Sequence, residues 1–344
     1  MTAEIGIAIL GAGRIGRLHA ENLTAQVAGA RVRTIADPRL ERAREAAAAC
    51  GAGVDAVADP VAACRDTGIA AVVIASSTDT HARLIEAAAA AGKHIFCEKP
   101  LDLDPARIRR VLQAVRAAGV QLQVGFNRRF DPSFARLAAL VRAGAAGAPH
   151  LVRITSRDPQ PPPPEYVRVS GGLFLDMAIH DLDMARFLVG EEIVQVYATG
   201  SVLVDEEIGR AGDVDTAAIV LRFASGALAC IDNSRRAVYG YDQRVEVFGS
   251  QGCLVAGNQT PTSVAVWSGS GQLQEPPLHF FLERYQESYV EELRAFVECI
   301  RTGRPATVNG EDGLRAVELA LAAQRSLDAG TPVATVPPDA EIAA

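Results

Sequence analysis

A glycine-rich turn near the amino end constrains the fold of this chain more than any other feature of its sequence. The turn follows the apolar run Ile5–Leu10, opens a stretch of helical composition, and consists of Gly11, Ala12, Gly13, Arg14, Ile15 and Gly16. Gly11 allows a tight turn, Gly13 lets a pyrophosphate approach the backbone, and Gly16 lets the helix pack closely on the strand. The free N–H groups and the positive dipole end of such a helix attract phosphates. The pattern therefore predicts a strand–turn–helix unit that binds a dinucleotide.

Short apolar runs alternate with longer alanine-rich stretches over residues 1–125. The runs fit buried strands, and the stretches have the length and the propensity of helices. The predicted strands cover residues 5–10, 31–36, 71–75, 94–97 and 121–125, and the predicted helices cover residues 15–27, 40–50, 81–91 and 105–118. This alternation predicts an α/β domain of the Rossmann type, with a doubly wound parallel sheet covered by helices on both faces.

Asp37 closes the second predicted strand, about 20 positions after the last glycine of the turn. A carboxylate at this point accepts hydrogen bonds from the adenosine ribose hydroxyls and repels a 2′-phosphate. Arg39, two residues later, is a side chain that can pair with such a phosphate. We therefore expect NAD as the cofactor, and Arg39 keeps NADP as the less favoured alternative.

The second part of the chain has a different pattern, with longer and more polar runs that are rich in β-branched residues. Strands are predicted at 151–157, 193–201, 216–223, 227–233, 244–248 and 264–267, hairpins at 225–226 and 250–252, and helices at 173–189 and 285–301. The proline-rich residues 159–164 predict an exposed, stiff loop, either a spacer or a flap beside a site. We expect two domains: 1–125, which binds the nucleotide, and 126–344, an α+β domain with a large open mixed or antiparallel sheet that binds substrate and mediates oligomerisation.

The overall composition excludes several classes of partner. The chain has 34 Lys+Arg against 41 Asp+Glu, a formal net charge of -7, which argues against a duplex nucleic-acid partner. No apolar run reaches the roughly 18 residues that a membrane span needs. The six cysteines are far apart and form no metal-ligand pattern with histidine, so we expect reduced thiols and no metal. The first residues carry Glu4 and lack the basic segment of a secretory signal, and we expect a cytoplasmic protein.

Two motifs carry the candidate chemistry. Glu98-Lys99-Pro100 follows the predicted strand at 94–97, at the carboxyl end of a parallel sheet, where ligands of this architecture bind. In the second part, Asp176 and His180 are four positions apart on a predicted helix, with Asp183 three positions further, so that all three project from one face. A carboxylate beside an imidazole fixes its tautomer and stabilises its protonated form, which a general base requires. The alternatives are a purely structural pair, or a metal site formed by His180, Asp181 and Asp183.

These motifs together resemble the glucose-fructose oxidoreductase, inositol dehydrogenase and rhizopine-catabolism (Gfo/Idh/MocA) family over nearly the whole chain. Residues 125–134, 154–159 and 238–242 resemble the inositol-oxidising branch. The resemblance implies that Lys99, Asp176 and His180 are catalytic and that Arg129, Asp158 and Tyr239 bind ring hydroxyls. It also implies that Glu98 positions Lys99 and that Ser76, Thr78 and His81 line the nicotinamide pocket, although His81 fits equally well as the residue that opens the next helix. A homotetramer assembled through the second-domain sheets is expected.

The resemblance implies reversible, NAD-dependent oxidation of a secondary ring alcohol, with myo-inositol as the expected substrate. His180 is expected to take the hydroxyl proton, Asp176 to orient His180, and Lys99 to stabilise the oxygen. The alternatives within the same chemistry are scyllo-inositol, chiro-inositol or an aldose. An NAD-dependent glycosidase and a non-catalytic NAD sensor are the alternatives from other classes.

Overall fold

The computed structural model describes residues 4–335. The chain forms two compact units: Met1–Phe130 with Glu287–Val317, and Asp131–Gln286 with Glu318–Ala344. The predicted boundary after residue 125 lies close to the first crossing at Phe130. The predicted second domain, 126–344, differs from the structure because residues 287–317 return to the first unit.

Residues 4–125 form six strands and five helices. In chain order they are β1 (Ile5–Leu10), α1 (Arg14–Gln26), β2 (Ala30–Ala36), α2 (Leu40–Cys50), β3 (Asp55–Val57), α3 (Pro60–Cys64), β4 (Ala71–Ile74), α4 (Thr78–Ala90), β5 (His94–Glu98), α5 (Pro105–Ala118) and β6 (Leu122–Gly125). The strands form one sheet in the order β3-β2-β1-β4-β5-β6, and every pair is parallel. This order confirms the predicted doubly wound sheet. Strand β3 was not predicted, because its three residues, Asp55–Val57, are exposed or partly exposed and give no buried apolar run. Helix α3 was not predicted either.

The rest of the chain begins with a 3-10 turn at Asn127–Phe130. The elements that follow are α6 (Pro132–Arg142), β7 (Pro149–Arg157), α7 (Pro164–Ser170), a π-helical turn (Phe174–Ala178), α8 (Ile179–Val189), β8 (Ile193–Ser201), α9 (Glu206–Arg210), β9 (Thr216–Phe223), β10 (Leu228–Ser234), β11 (Asp242–Gly249), β12 (Gly252–Ala256), β13 (Ala265–Ser268), β14 (Gly271–Gln274), α10 (Phe281–Arg284), α11 (Gln286–Thr302), α12 (Gly310–Ala329) and β15 (Val333–Ala334).

Helix α11 belongs to the core of the first unit. Leu293 and Phe296 of α11 lie in the same buried cluster as Ile7, Ile9 and Phe96 of the parallel sheet. The rings of Phe96 and Phe296 meet edge to face, with centroids 5.9 Å apart. Burial of such side chains stabilises a domain by roughly 1.5–3 kcal/mol each. This packing explains why the chain returns to the first unit.

The second unit contains a seven-stranded sheet in the order β12-β11-β7-β10-β9-β8-β15. Only β7 and β10 are parallel among these neighbours, and the other pairs are antiparallel, which confirms a mixed sheet. Both predicted hairpins form, β9–β10 and β11–β12. Side chains alternate along β9: Ile219 and Leu221 are buried, whereas Val220 and Arg222 are exposed. One face of this sheet is therefore covered and the other is open.

Two local differences from the predictions concern helices. The predicted helix at 173–189 begins with the π-helical turn Phe174–Ala178 before α8. The proline-rich loop ends one residue earlier than predicted, because Pro164 is the first residue of α7, a position that needs no N–H donor. No helix in the described part of the chain is long and apolar enough to cross a membrane.

Candidate active site

The glycine turn leaves open space at the amino end of α1. Gly11 has a φ of +109°, and a Cβ there would lie 2.6 Å from the backbone N of Ser76. A Cβ on Gly16 would lie 1.8 Å from the carbonyl oxygen of Gly11, whereas a Cβ on Gly13 would meet no atom within 4 Å. Gly13 is also the N-cap residue of α1 and has no side chain to occupy the first N–H groups. The turn therefore fits a dinucleotide pyrophosphate at Gly13.

Asp37 is tied to this turn. Its Oδ2 accepts a hydrogen bond from the N–H of Ala12 at 2.9 Å, and its Oδ1 accepts one from the N–H of Arg39 at 2.8 Å. Each carboxylate oxygen has a further lone pair, so Asp37 can also accept from ribose hydroxyls. The Arg39 guanidinium lies 3.8 Å from Asp37 and is largely exposed. Arg14 is exposed and Ile15 is half-buried in the first turn of α1.

The residues predicted beside the nicotinamide lie in or just before α4, not in an open turn. Thr78 is the first residue of α4, and the hydroxyl of Ser76 bonds that of Thr80 at 2.6 Å. His81 is 1% exposed, and its Nδ1 and Nε2 lie 2.8 Å from the carbonyl of Pro100 and 3.1 Å from that of Ser76. His81 thus braces the segments that follow β4 and β5. Nicotinamide contact by Ser76, Thr78 and His81 stays a prediction.

Glu98 is the last residue of β5 and immediately precedes Lys99 in the chain. Its side chain lies in a cluster of titratable groups with His19 and Glu292. Its Oε1 lies 2.7 Å from Nε2 of His19, which is completely buried. Glu292 of α11 lies beside them, is also completely buried, and has no hydrogen-bond partner for either carboxylate oxygen in the described residues. Burial and the neighbouring carboxylate of Glu98 hold the pKa of Glu292 well above its usual range. Burial therefore favours the neutral acid form of Glu292 over its carboxylate.

In the second unit, two glycines set the start of the helix that carries the candidate pair. Gly171 and Gly172 have φ of +86° and +82°, a conformation that other residues rarely adopt. Both oxygens of Asp213 accept from the N–H of Leu173, at 3.1 and 2.9 Å. Burial raises the pKa of Asp213 above its usual range. The glycine pair and this carboxylate together fix the entry into the π-helical turn.

Asp176 and His180 share a partly open face of this helical segment. Both are half-buried, whereas the other residues from Leu173 to Ile179 are buried. Asp183, predicted on the same face, is only 1% exposed, and Asp181 is fully buried and accepts from Nδ2 of Asn233 at 2.8 Å. The structure therefore places Asp176 and His180 at half-buried positions of one helical segment and Asp183 in the interior.

The carboxylate of Asp176 is held by two further side chains. The hydroxyl of Tyr166 donates to Oδ1 at 2.9 Å, and Nη1 of Arg235 donates to Oδ2 at 3.0 Å. Partial burial of the hydroxyl, and then the charge of Asp176, raise the pKa of Tyr166. Tyr166 is therefore a stable hydrogen-bond donor across the neutral range. Asp158 approaches the same arginine, with Oδ2 at 3.5 Å from Nη1.

The other predicted substrate residues have partners of their own. Arg129 lies in the first unit, is 8% exposed, and pairs with Asp312 at 3.0 Å from Nη2 to Oδ1. The hydroxyl of Tyr239 donates to Asp242 Oδ2 at 2.6 Å and accepts from Arg157 Nη1 at 3.1 Å. Tyr239 lines a surface pocket of about 570 Å³ whose lining includes neither Asp176 nor His180. Substrate contact by Arg129 and Tyr239 stays a prediction.

The metal alternative gains no support at the candidate pair. Within residues 4–335, the one group of side chains whose ligand atoms come close enough to share an ion is His19, Glu98 and Glu292. That group does not include His180, Asp181 or Asp183. Within that group, His19 and Glu98 already contact each other at 2.7 Å.

Sequence reasoning missed Arg235 and Glu292 as neighbours of the site motifs, and it did not predict the hydrogen bond of Tyr166 to Asp176. Arg235 and Asp176 are 59 positions apart, and Tyr166 is ten positions before Asp176, in a different helix. One signal was present for Arg235, since it lies two residues after the predicted strand at 227–233. Glu292 offers none, because a charged residue on an amphipathic helix is expected to face solvent.

Comparisons with known proteins agree with these features. Residues 5–126 match the oxidoreductase family with an NAD-binding Rossmann fold, and residues 134–255 match the GFO/IDH/MocA C-terminal domain. The chain is 53% identical over 322 residues to the myo-inositol 2-dehydrogenase of Thermotoga maritima. The matched region covers 94% of this chain and 96% of that relative. It is 50% identical over 328 residues to the inositol 2-dehydrogenase of Rhizobium meliloti, covering 95% and 97%.

A solved structure extends the likeness to a protein with bound cofactor. The scyllo-inositol dehydrogenase from Lactobacillus casei, crystallised with NAD(H) and scyllo-inositol, superimposes with a TM-score of 0.90 at 31% identity. The match covers 96% of this chain and 99% of that one. The chain therefore belongs to the Gfo/Idh/MocA family of oxidoreductases, whose first domain is an NAD-binding Rossmann fold.

Proposed function

We propose that the protein oxidises a secondary ring hydroxyl of a cyclic polyol to a ketone, with NAD as the cofactor. The substrate is myo-inositol and the product is 2-keto-myo-inositol, so that the enzyme is an inositol 2-dehydrogenase of inositol catabolism. The observation that carries the proposal is the half-buried Asp176–His180 pair, with Asp176 fixed by Tyr166 and Arg235. The 53% identity to a myo-inositol 2-dehydrogenase supports the choice of substrate.

His180 acts as the general base of the reaction. It removes the hydroxyl proton onto an imidazole nitrogen while the carbon–hydrogen bond of the same carbon breaks and the carbon–oxygen bond becomes double. Bound NAD supplies the hydride acceptor. Asp176 stabilises the imidazolium that forms, and it can do so with a fixed geometry because Tyr166 and Arg235 hold its two oxygens.

Lys99 donates a hydrogen bond to the reacting oxygen and stabilises its developing negative charge. Glu98 fixes the backbone that carries Lys99, since His19 holds the Glu98 carboxylate at 2.7 Å. Asp158, Arg129 and Tyr239 are proposed to bind the remaining hydroxyls. Asp158 has the strongest support of these three, because it shares Arg235 with Asp176.

NAD is preferred to NADP. The carboxylate of Asp37 is held at the turn by the N–H of Ala12, where it accepts from ribose hydroxyls and repels a 2′-phosphate. Arg39 is the counter-argument, because a guanidinium can pair with a 2′-phosphate, and its Nε lies 3.8 Å from Asp37 Oδ1. Rates with NAD should therefore exceed rates with NADP, and the opposite order would reject Asp37 as the discriminating residue.

The open face of the seven-stranded sheet is the proposed contact between copies of the chain in a homotetramer. Tyr197, Val220, Leu228 and Phe248 are 37–48% exposed on this face, and an apolar patch of this kind is typical of an interface. Val220→Arg should yield a smaller species in light-scattering chromatography, and an unchanged mass would reject this face.

The six free thiols support a cytoplasmic location.

One panel of assays tests the proposed function. Inositol isomers and aldoses are incubated with NAD and with NADP, and NADH or NADPH accumulation is followed. Net accumulation with myo-inositol supports the proposal and excludes a glycosidase, which regenerates its cofactor, and a sensor, which oxidises nothing. Scyllo-inositol is the second candidate, because the L. casei structure with that ligand has the same fold at 31% identity. A scyllo-inositol rate above the myo-inositol rate would replace the first substrate with the second.

A further inference from the structure

Arg235 lies where two parallel strands end side by side. Strand β10 pairs with β7, with Ser234 opposite Arg157, so the next residues, Arg235 and Asp158, are neighbours. The backbone continues this pairing: the N–H of Asp158 donates to the carbonyl of Ser234 at 2.9 Å, and the N–H of Ala237 donates to the carbonyl of Asp158 at 2.6 Å. The sheet therefore fixes the position of Arg235 independently of its side chain.

The Arg235 guanidinium serves two carboxylates. The residue is 2% exposed, and its Nη1 lies 3.0 Å from Asp176 Oδ2 and 3.5 Å from Asp158 Oδ2. Burial opposes its charge, but Asp176 and Asp158 outweigh burial and raise the pKa of Arg235. Asp213 adds a third nearby carboxylate. Among these four residues, negative charge exceeds positive charge.

Part of the guanidinium lacks an acceptor. Nε and Nη2 are buried, and neither has a hydrogen-bond partner in the described part of the chain. Buried N–H groups of a cation are costly unless an acceptor meets them. Hydroxyl oxygens are such acceptors, and neighbouring hydroxyls of a ring present two of them to the edge of a planar guanidinium. An anionic ligand would be repelled by the three carboxylates.

We propose that Arg235 determines substrate specificity: Nη1 positions Asp176 and Asp158, while Nε and Nη2 donate to hydroxyl oxygens of an uncharged polyol. The inference rests on the proposed function, since it takes the substrate of that same site to be a polyol. It adds that the site selects uncharged polyols against the matching sugar acids. A sugar acid oxidised with the same kcat/KM as its uncharged counterpart would contradict this selection.

Two substitutions separate the roles of Arg235. Arg235→Lys keeps the charge but loses the planar fork, and it should raise KM for the polyol by about 10- to 100-fold with a smaller change in kcat. Arg235→Met also removes the partner of Asp176 and should lower kcat as well. NADH affinity, measured by fluorescence titration, should stay unchanged in both. Arg236→Met, at the exposed neighbouring position, is the control and should match the wild type.

Three outcomes decide the proposal. An unchanged KM in folded Arg235→Lys rejects Arg235 as a substrate ligand, although it leaves the proposed function intact. A wild type that forms no NADH with any polyol rejects the proposed function instead. If both variants fail to fold, a crystal structure of the wild type with NAD and inositol decides: Nε or Nη2 within about 3.2 Å of a ring hydroxyl supports the proposal, and no hydroxyl within about 4 Å of either overturns it.

Discussion

The side chains of His19 and Glu98 meet at 2.7 Å, Nε2 to Oε1, although 79 positions separate them in the sequence. This contact joins α1, which begins at the glycine turn, to the end of β5, which carries Lys99. Glu292 lies beside the pair and is completely buried. The dinucleotide turn and the Glu-Lys-Pro motif are therefore connected through one buried group of titratable side chains.

Glu292 predicts a pH dependence of stability. Its pKa is raised in the folded protein, so the folded state keeps a proton that the unfolded chain releases near its ordinary pKa of about 4.3. The free energy of unfolding should consequently fall as pH rises above that value, by up to about 1.4 kcal/mol per pH unit, until the folded-state pKa is passed. Glu292→Gln mimics the neutral acid and should give a flatter profile in urea unfolding.

The matched control for this experiment is Glu298→Gln, at an exposed position of the same helix. It should keep the wild-type slope of stability against pH. A Glu292→Gln profile parallel to that of the wild type would mean that Glu292 is ionised in the folded protein.

Gly13 and Gly16 should respond to alanine in opposite ways. Gly13 has a φ of −73° and open space around its missing Cβ, so Gly13→Ala should leave thermal stability intact but weaken NADH binding by about tenfold or more, because the methyl group occupies the pyrophosphate space. Gly16→Ala places a Cβ 1.8 Å from the Gly11 carbonyl and should lower the melting temperature. Thermal melts and fluorescence titration measure the two effects. Full NADH affinity in Gly13→Ala would contradict this site.

The sequence pattern predicted the first sheet well because its signals are local. Apolar runs, alanine-rich helices and the glycine turn each lie within a few residues of the element they define. The return of α11 to the first unit was not predictable in this way. It depends on contacts such as Phe96 with Phe296, which join residues far apart in the chain.

His180→Ala should lower kcat by orders of magnitude, because proton removal by a positioned base contributes about 10²- to 10⁴-fold. NADH binding should remain near the wild-type value, since His180 lies in the second unit and the glycine turn in the first. The wild-type oxidation rate should rise with pH as His180 loses its proton, because only the neutral imidazole can act as the base. Turnover equal to the wild type, or a flat profile between about pH 5 and 9, would remove His180 from the mechanism.

Lys99→Met should damage turnover to a similar degree, since it removes the donor that stabilises the oxygen while keeping the length of the side chain. Steady-state kinetics with inositol measure the loss. Lys93→Met is a poor control, because Lys93 bonds the carbonyls of Asp66 and Ile69 and supports the fold. Unchanged kinetics in Lys99→Met would make Glu-Lys-Pro a structural turn.

The spacing of Asp176 and His180 was readable from the sequence, because residues four apart in a helix share a face. The groups that hold Asp176 were not readable. Tyr166 belongs to a separate helix and Arg235 to the end of β10, and only the folded sheet brings Arg235 to Asp176. Sequence patterns thus predicted the residue pair proposed to perform the chemistry, while the residues that orient it required the tertiary structure.

Tyr166→Phe tests whether this orientation matters. The change keeps the ring but removes the hydrogen bond of 2.9 Å to Asp176 Oδ1, and hydrogen bonds to charged groups contribute about 1.5–3 kcal/mol. A loss of about 10- to 100-fold in kcat/KM is therefore expected if that energy acts in the transition state. Because the raised pKa of Tyr166 keeps its hydroxyl protonated, the ratio between wild type and variant should not change across neutral pH. A kcat/KM within about twofold of the wild type would show that Arg235 alone is sufficient to hold Asp176.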